Sequence, residues 1–335
     1  RFSEQISGDP FIALVERGAL QQVGFYEDEP YDSYFSGNVV QICPVGALTS
    51  AAYRFQARPF DLKSTTTSCD HCAGGCEIRA DHRHHQVKRH QAGDAPEVNE
   101  EWLCDKGRFG FVSGRGEDRL TRPLVRRNGV LQVASWPEAI DAAVAGLKAA
   151  GTAVGVLPGG RLTVENAYAY SRFARTVLGT NNIDFRSRAA SEEEAEFLAS
   201  RVAGRGMDVT YADLEAAKHV VLVSYEPEDE TSVVFLRLRK AVRKHGLKVT
   251  TLAPFASRGT QKLSATLIPV APGAEAQTLE AMELEEGTII LVGERAACQP
   301  GLLSEVSSKA IRSGARLAWM PRRAGDMEAI TTGCL

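Results

Sequence analysis

Four cysteines carry the spacing of a metal centre: Cys69, Cys72 and Cys76 in the string SCDHCAGGC, and Cys104 in EWLCDKGRFGF, together C-x2-C-x3-C-x27-C. Soft thiolates select iron–sulfur clusters or zinc. Zinc ribbons bring their ligands as two close pairs, whereas three clustered cysteines plus one remote cysteine suit a [4Fe–4S] cubane, whose irons need ligands from several directions. The spacing favours the cluster and leaves structural zinc as the alternative. Gly74 and Gly75 permit the tight folding that aims successive thiolates inward and leaves peptide N–H groups for cluster sulfides. After Cys104, Lys106 and Arg108 place cations where they would offset thiolate charge; an ordinary surface lysine is the competing reading.

Cys43, in VVQICPVGALTS, stands alone, and a lone cysteine is more often a small buried hydrophobe than a ligand. Its context changes that expectation. A Cys-Pro pair followed by Gly-Ala-Leu is how ferredoxin-type domains end a cluster-binding run, the proline turning the chain so that the thiolate projects into the cluster. Cys43 is therefore expected to be the fourth ligand of a second [4Fe–4S] cluster whose other ligands lie upstream of Arg1. His71, His82, His84, His85 and His90 follow no ligand template. With Arg79, Arg83, Lys88 and Arg89 interleaved, they read as a solvated hairpin. Cys298 and Cys334 lack ligand-spaced partners and read as structural.

The elements that must hold these residues change character along the chain. Ser64 to Ser68 reads as an extended approach to Cys69. Beyond Arg122-Pro123, a hairpin turning on Asn128-Gly129 is expected over Arg126 to Val133. Ser135-Trp136-Pro137-Glu138 is a capping box opening a helix that ends near Gly151. Near-continuous apolar runs at Ala153 to Leu157, His219 to Ser224, Leu247 to Leu252 and Thr288 to Val292 read as doubly covered strands. They alternate with helices expected over Val164 to Leu178, Glu192 to Val202, Thr231 to His245 and Leu302 to Arg312, with Gly179 and Gly246 as helix ends. The alternation predicts an α/β fold with a mostly parallel sheet. Leu157-Pro158-Gly159-Gly160 sits where a strand would meet a helix but lacks a full G-x-G-x-x-G, so a plain turn is favoured over a nucleotide site. The basic run Arg237, Arg239, Lys240, Arg243, Lys244 shares a helix with Val234, Phe235, Leu238 and Val242, and predicts a solvated or subunit-facing surface rather than nucleic-acid binding.

At 335 residues two or three domains are expected. Lys plus Arg total 39 against 42 Asp plus Glu, a net charge of −3 that gives no whole-chain reason to expect nucleic acid or an anionic membrane as partner. No stretch approaches the roughly 18 apolar residues of a membrane span, and no leader is visible. Seven cysteines, four of them in a metal-like cluster, suit a reducing compartment. The chain opens without an initiator methionine and ends abruptly at Leu335, which reads as a piece of something longer.

Taken together, CPVGALTS, the cysteine module ending C-x-K-G-R and the α/β region resemble the large iron–sulfur subunit of bacterial NADH-quinone oxidoreductase, respiratory complex I, the counterpart of the mitochondrial 75 kDa subunit. RFSEQISGDPFI, ARPFDL, EVNEEWLCDKGRFGF, DRLTRPLVR and FLRLRKAVRKHG carry the resemblance, especially to actinobacterial versions, over essentially the whole length. It implies three parts: the end of a ferredoxin-like domain (1–62), a small cysteine-rich [4Fe–4S] domain (63–123) and an incomplete molybdopterin-oxidoreductase-like α/β domain (124–335). It further implies that Cys43 closes a [4Fe–4S] cluster on the main electron chain, and that Cys69, Cys72, Cys76 and Cys104 hold an additional one off that path. Electrons from NADH and flavin would pass toward quinone, with proton translocation belonging to the whole complex. The partners implied are the flavin/NADH-binding subunit and further iron–sulfur subunits of the peripheral arm, on the cytoplasmic side of the bacterial inner membrane, the membrane being met only through the complex. The runner-up is a molybdopterin enzyme such as formate dehydrogenase, whose metal ligand and catalytic histidine align with Ala190 and Ser191. Neither residue can replace them, so no molybdopterin and no catalytic residue are expected.

Overall fold

The computed structural model describes residues 1–25 and 30–335. Residues 26–29, within the opening stretch in which the sequence shows no catalytic grouping, lie outside the described residues. The chain divides into two compact units, each drawn from two stretches: Arg1–Gly110 with Ala190–Ala324, and Phe111–Ala189 with Gly325–Leu335.

In chain order, Ile12–Val15 (β1) and Gln22–Phe25 (β2) pair antiparallel, and Gly37–Gln41 is a short helix (α1). Lys63–Ser68 (β3), Glu77–Arg83 (β4) and Gln86–Ala92 (β5) form a three-stranded antiparallel sheet, followed by Asp105–Phe109 (α2). β4 and β5 are joined by His84 and His85 alone, at φ 49° and 59°. Two successive left-handed residues are what a two-residue turn needs to follow strand twist, and histidine enters that region more readily than branched residues do. The expected hairpin is therefore present, but it is less solvated than its charges suggest. Arg89 pairs with the buried Asp81 at 2.6 Å and stacks over Tyr53 at 4.6 Å.

The second unit begins with Leu124–Arg127 (β6) and Val130–Val133 (β7), turned on Asn128-Gly129 with φ 50° and 81°. Trp136–Ala150 (α3) carries the expected capping box between Ser135 and Glu138. Val164–Arg172 (α4) is capped by Thr163. The strand expected over Ala153 to Leu157 does not form. One parallel bridge, Val156 to Ile183, stands in its place, its two bonds running from Val156 N–H to the Asn182 carbonyl and from Asp184 N–H to the Val156 carbonyl. Pro158 has no N–H with which to extend the ladder.

The first unit resumes with Glu192–Phe197 (α5), Tyr211–Ala216 (α6), His219–Val223 (β8), Pro227–Glu230 (α7), Ser232–His245 (α8) and Lys248–Ala253 (β9). Arg258–Lys262 (α9), Thr266–Pro269 (β10), Glu275–Ala281 (α10), Ile289–Gly293 (β11), Leu302–Ser313 (α11) and Arg316–Met320 (β12) complete it, and Asp326–Thr331 (α12) returns to the second unit. The five strands lie in the order β10-β9-β8-β11-β12, all parallel. β8 and β11 form its centre and are buried from Val220 and Ile289 onward, as their unbroken apolar runs require. Strands of this kind need a crossover between neighbours, and α8 supplies the one from β8 to β9, closing on Gly246 at φ 70°.

α8 corrects one expectation. Its basic run is a solvated face only at its end, where Arg243 and Lys244 are exposed; Arg237 is buried, and its guanidinium pairs with Glu215 at 2.5 Å and Glu100 at 3.3 Å while its Nε donates to the Val98 carbonyl at 2.9 Å. Lys240 shares both glutamates. Arg239 and Arg243 donate to the carbonyls of Glu4 and Gln5. Carbonyl and carboxylate partners distant in sequence desolvate these cations at tolerable cost, which a local reading of charge cannot anticipate. Arg237→Ala is expected to destabilise the first unit by about 2–3 kcal/mol, less than a fully buried pair because both glutamates keep some contact with water. Urea unfolding checks this, and an unchanged midpoint would show that the network contributes nothing.

Candidate metal centre

Cys69 to Cys76 form the loop joining β3 to β4, directly beyond the Ser68–Glu77 pair. The Cys69 N–H donates to the Cys76 carbonyl at 2.9 Å and closes the loop at its base. Two glycines let it fold: Gly75 is left-handed at φ 68°, and a Cβ on Gly74 would stand 2.7 Å from Val233 Cγ1 of α8. The Tyr211 hydroxyl fixes the same point by donating to the Gly74 carbonyl at 2.7 Å.

Cys104 arrives from a different direction, as the N-cap residue of α2. Its neighbours pin it to α1. Asp105 accepts from the N–H groups of Ser36 and Gly37 at 2.9 Å each and from the Ser36 hydroxyl at 2.6 Å. Asn38 donates to the Leu103 carbonyl at 2.8 Å and accepts from the Leu103 N–H at 3.1 Å. Buried Arg108 joins Asn38 and Gln41 at 2.9 Å each.

Cys69, Cys72, Cys76 and Cys104 then line one small cavity with Phe35, Gly75, Trp102, Val233 and Leu236. The walls apart from the sulfurs are apolar or aromatic. Burial pushes the Cys69 thiol up to about 12, the Cys72 thiol to about 11 and Cys76 well above the ordinary value, with the neighbouring thiols acting in the same direction. Neutral thiols are thus the stable form of the metal-free cavity, and metal binding must release their protons. Among the described residues no three His, Cys, Asp or Glu side chains stand close enough together to hold a metal ion as they are placed; the four thiols share the lining of the cavity. The donor set, the glycine-cradled loop and the dry walls fit a thiolate-held cluster.

The other candidates fall elsewhere. None of the five histidines lines the cavity; His90 Nδ1 lies 3.0 Å from the Gly107 carbonyl. Lys106 satisfies both readings offered for it. It is a half-exposed lysine paired with Asp229 at 3.0 Å, and its charge also acts on Cys72, holding that thiol down against burial. Cys43 is not brought to the cavity. It follows α1 half-buried, and backbone groups of Val45, Leu48 and Ala47 hold its thiol below the ordinary value, a favourable setting for a thiolate. Cys298 is exposed; Cys334 is buried, its thiol donating to the Ala167 carbonyl at 3.3 Å. Trp102, Phe35 and Tyr211 carry no cysteine-like motif of their own and escape a reading by spacing; for Trp102 the one signal is its place two residues before Cys104.

The other place where such a fold binds ligands is the crevice beyond the carboxyl ends of the strands, where the order reverses between β8 and β11. Here a Cβ on Gly293 would collide with the Ser224 carbonyl oxygen, so the strand ends are in contact. Glu226, Glu228 and Glu230 follow β8, and Asp9 reaches in from the amino-terminal stretch. Lys262 pairs with Asp9 and Glu228, Arg258 with Asp9 at 2.6 Å, and Arg295 with Glu230 at 2.7 Å. The cations are taken, and a diphosphate-bearing pterin would have to displace buried carboxylates. These residues do not fit an anionic dinucleotide cofactor. Ser191 caps α5, accepting from the Glu194 N–H at 3.1 Å, and Ala190 is exposed. Leu157–Gly160 is a turn with Gly159 at φ 81°, and the Gly160 carbonyl accepts from Gly325 N–H at 2.9 Å.

Two outcomes are expected. A Cβ at Gly107 would stand 2.8 Å from Cys69 Sγ and 3.1 Å from Leu103 Cδ1, so Gly107→Ala should lower bound metal severalfold while circular dichroism stays unchanged; full metal content would show that this contact does not limit metal binding. In metal-free protein the raised thiols keep protons that the unfolded chain gives up, so stability present below about pH 9 should decline as pH rises through 9 to 11. Melting curves across that window check the sign, and Cys69→Ser with Cys72→Ser should flatten the decline.

Comparison with known proteins agrees with this geometry. Residues 1–49 match the ferredoxin-like domain of NADH-quinone oxidoreductase subunit 3, residues 62–113 the molybdopterin oxidoreductase Fe4S4 domain, and residues 119–297, more than half of the chain, the molybdopterin oxidoreductase family. The G subunit of the NADH-quinone oxidoreductase of Mycobacterium bovis is 56% identical and that of Streptomyces coelicolor 55% identical, each over 100% of this chain and 43% of the relative. NADH-quinone oxidoreductase subunit 3 of Thermus thermophilus is 38% identical over 72% of this chain and 29% of its own length. The chain thus spans less than half the length of these relatives. It belongs to the molybdopterin oxidoreductase family, on the branch of the NADH-quinone oxidoreductase G subunits, with iron–sulfur domains ahead of the α/β region.

Proposed function

We propose that the chain is an electron-carrying and scaffolding part of NADH-quinone oxidoreductase, respiratory complex I, and performs no substrate chemistry of its own. Cys69, Cys72, Cys76 and Cys104 hold one [4Fe–4S] cluster, and Cys43 is one ligand of a second whose remaining ligands come from elsewhere in the protein. The observation that carries this reading is the meeting of four thiols, from two separate stretches, around one apolar cavity. A [4Fe–4S] cluster supplies one-electron transfer when bound. The residues of the chain do the rest: thiolates anchor, Phe35, Trp102, Val233 and Leu236 exclude water, and Lys106 offsets charge at Cys72.

The remaining parts of the proposal follow from the family and from the filled crevice. Residues 1–62, 63–123 and 124–335 act as ferredoxin-like, cluster-binding and α/β parts. The α/β part binds no molybdopterin. Its partners are the flavin/NADH-binding subunit and further iron–sulfur subunits of the peripheral arm, at the cytoplasmic side of the bacterial inner membrane; among the described residues no helix is long and apolar enough to cross a membrane.

Anaerobically purified whole subunit tests the assignment. Cys72→Ser should remove about four irons per chain and one reduced-cluster EPR signal, while Cys298→Ser should leave both. Stoichiometric molybdenum, or zinc lost from the Cys72 variant in place of iron, would overturn the reading.

A further inference from the structure

Two asparagines, Asn38 and Asn99, are 0% and 1% exposed, and each grips the backbone of a residue next to one of the four cavity cysteines. Asn38 does so at Leu103, which precedes Cys104. Asn99 does so at Glu77, which follows Cys76: its Oδ1 accepts from the Glu77 N–H at 2.8 Å, and its Nδ2 donates to the Glu77 carbonyl at 3.2 Å. The same Nδ2 also donates to the Trp102 carbonyl at 2.9 Å, two residues before Cys104. One buried side chain therefore spans both cysteine stretches.

The contacts leave this amide one orientation, since a flipped one would turn its oxygen onto two carbonyls and its NH2 onto an N–H. The loop that carries it is fixed as well. Ala95 and Glu100 exchange N–H···O bonds at 3.2 and 2.8 Å, Glu100 turns at φ 52°, and Arg237 of α8 gathers the carbonyls of Pro96 and Val98. The Glu77 carbonyl already accepts from the Gly93 N–H at 2.9 Å, so the Asn99 bond to it is not needed to satisfy a buried group. Its effect is to fix where the chain runs on either side of the cavity.

We propose that Asn99 is a positioning residue of the metal centre: by tying Glu77 to Trp102 it sets Cys76 and Cys104 relative to one another, so that sulfurs from two separate stretches bond one cluster. The inference rests on the cluster reading above. Asn99 touches neither sulfur and acts through the backbone beside each, the way outer partners orient metal ligands. Asn38 steadies the Cys104 side alone.

EPR of the reduced, anaerobically prepared whole subunit tests it in wild type, Asn99→Asp, Asn99→Ala and Lys309→Met, with iron and the melting midpoint measured on each. Asn99→Asp keeps an acceptor for the Glu77 N–H and loses both donations. Lys309, buried on α11, donates to the Glu280 carbonyl at 2.8 Å, so its loss lowers stability without unmaking a bond to either cysteine stretch. The expected result is a shift of the principal g values in the Asn99 variants, with iron released to a chelator severalfold faster than from wild type, and wild-type g values in Lys309→Met. Wild-type g values in every Asn99 variant that folds would overturn the inference whatever the iron content, because the amide would then serve the fold alone. Failure of both Asn99 variants to fold, or an equal shift in Lys309→Met, would overturn it too. A wild type with no cluster signal would fail the underlying reading instead.

Discussion

The burial of a cysteine loop against the first turns of α8 is the constraint on which the first unit depends. Gly74 has no side chain because Val233 occupies that space, and Val233 with Leu236 walls the cavity that the thiols surround. The same helix also crosses from β8 to β9 and holds Arg237 against Glu100 and Glu215, which draws in the segment leading to Cys104. One element therefore fixes both sets of ligands.

In this molybdopterin-type fold the chain's own side chains lie at the crevice beyond β8 and β11. Where the strand order reverses, a cofactor-binding member would need an open mouth and free cations. This chain instead pairs Arg258, Lys262 and Arg295 with carboxylates there. Asp9 and Asp32, both from the amino-terminal stretch, pair with Arg258, so the same charges that would meet a phosphate now tie that stretch to the sheet.

Much of this was legible in the sequence, for reasons that separate local from distant information. The Asn128-Gly129 turn, the Ser135 capping box and the apolar runs of β8, β9 and β11 are local signals, and each corresponds to what the structure contains, with β9 and β11 beginning and ending one residue later than expected and β8 ending one earlier. The edge strands β10 and β12 were not: their apolar runs, Leu267-Ile268 and Leu317 to Met320, are short and only half-covered. The segment Ala153 to Leu157 carried such a run but found a partner only at Ile183. Arg237 was misjudged as solvated because Glu100 lies 137 residues away. The meeting of Cys104 with the other three thiols was inferred from chemistry, since 27 residues separate it from Cys76.

Anomalous diffraction from crystals of the anaerobically prepared whole subunit, with data on either side of the iron edge, tests the central claim most directly. The account requires multi-iron density inside the cavity bounded by Cys69, Cys72, Cys76 and Cys104, and none in the crevice beyond β8 and β11. A single peak in that cavity appearing only above the zinc edge, or heavy-atom density seated among Glu226, Glu228 and Arg258, would contradict it.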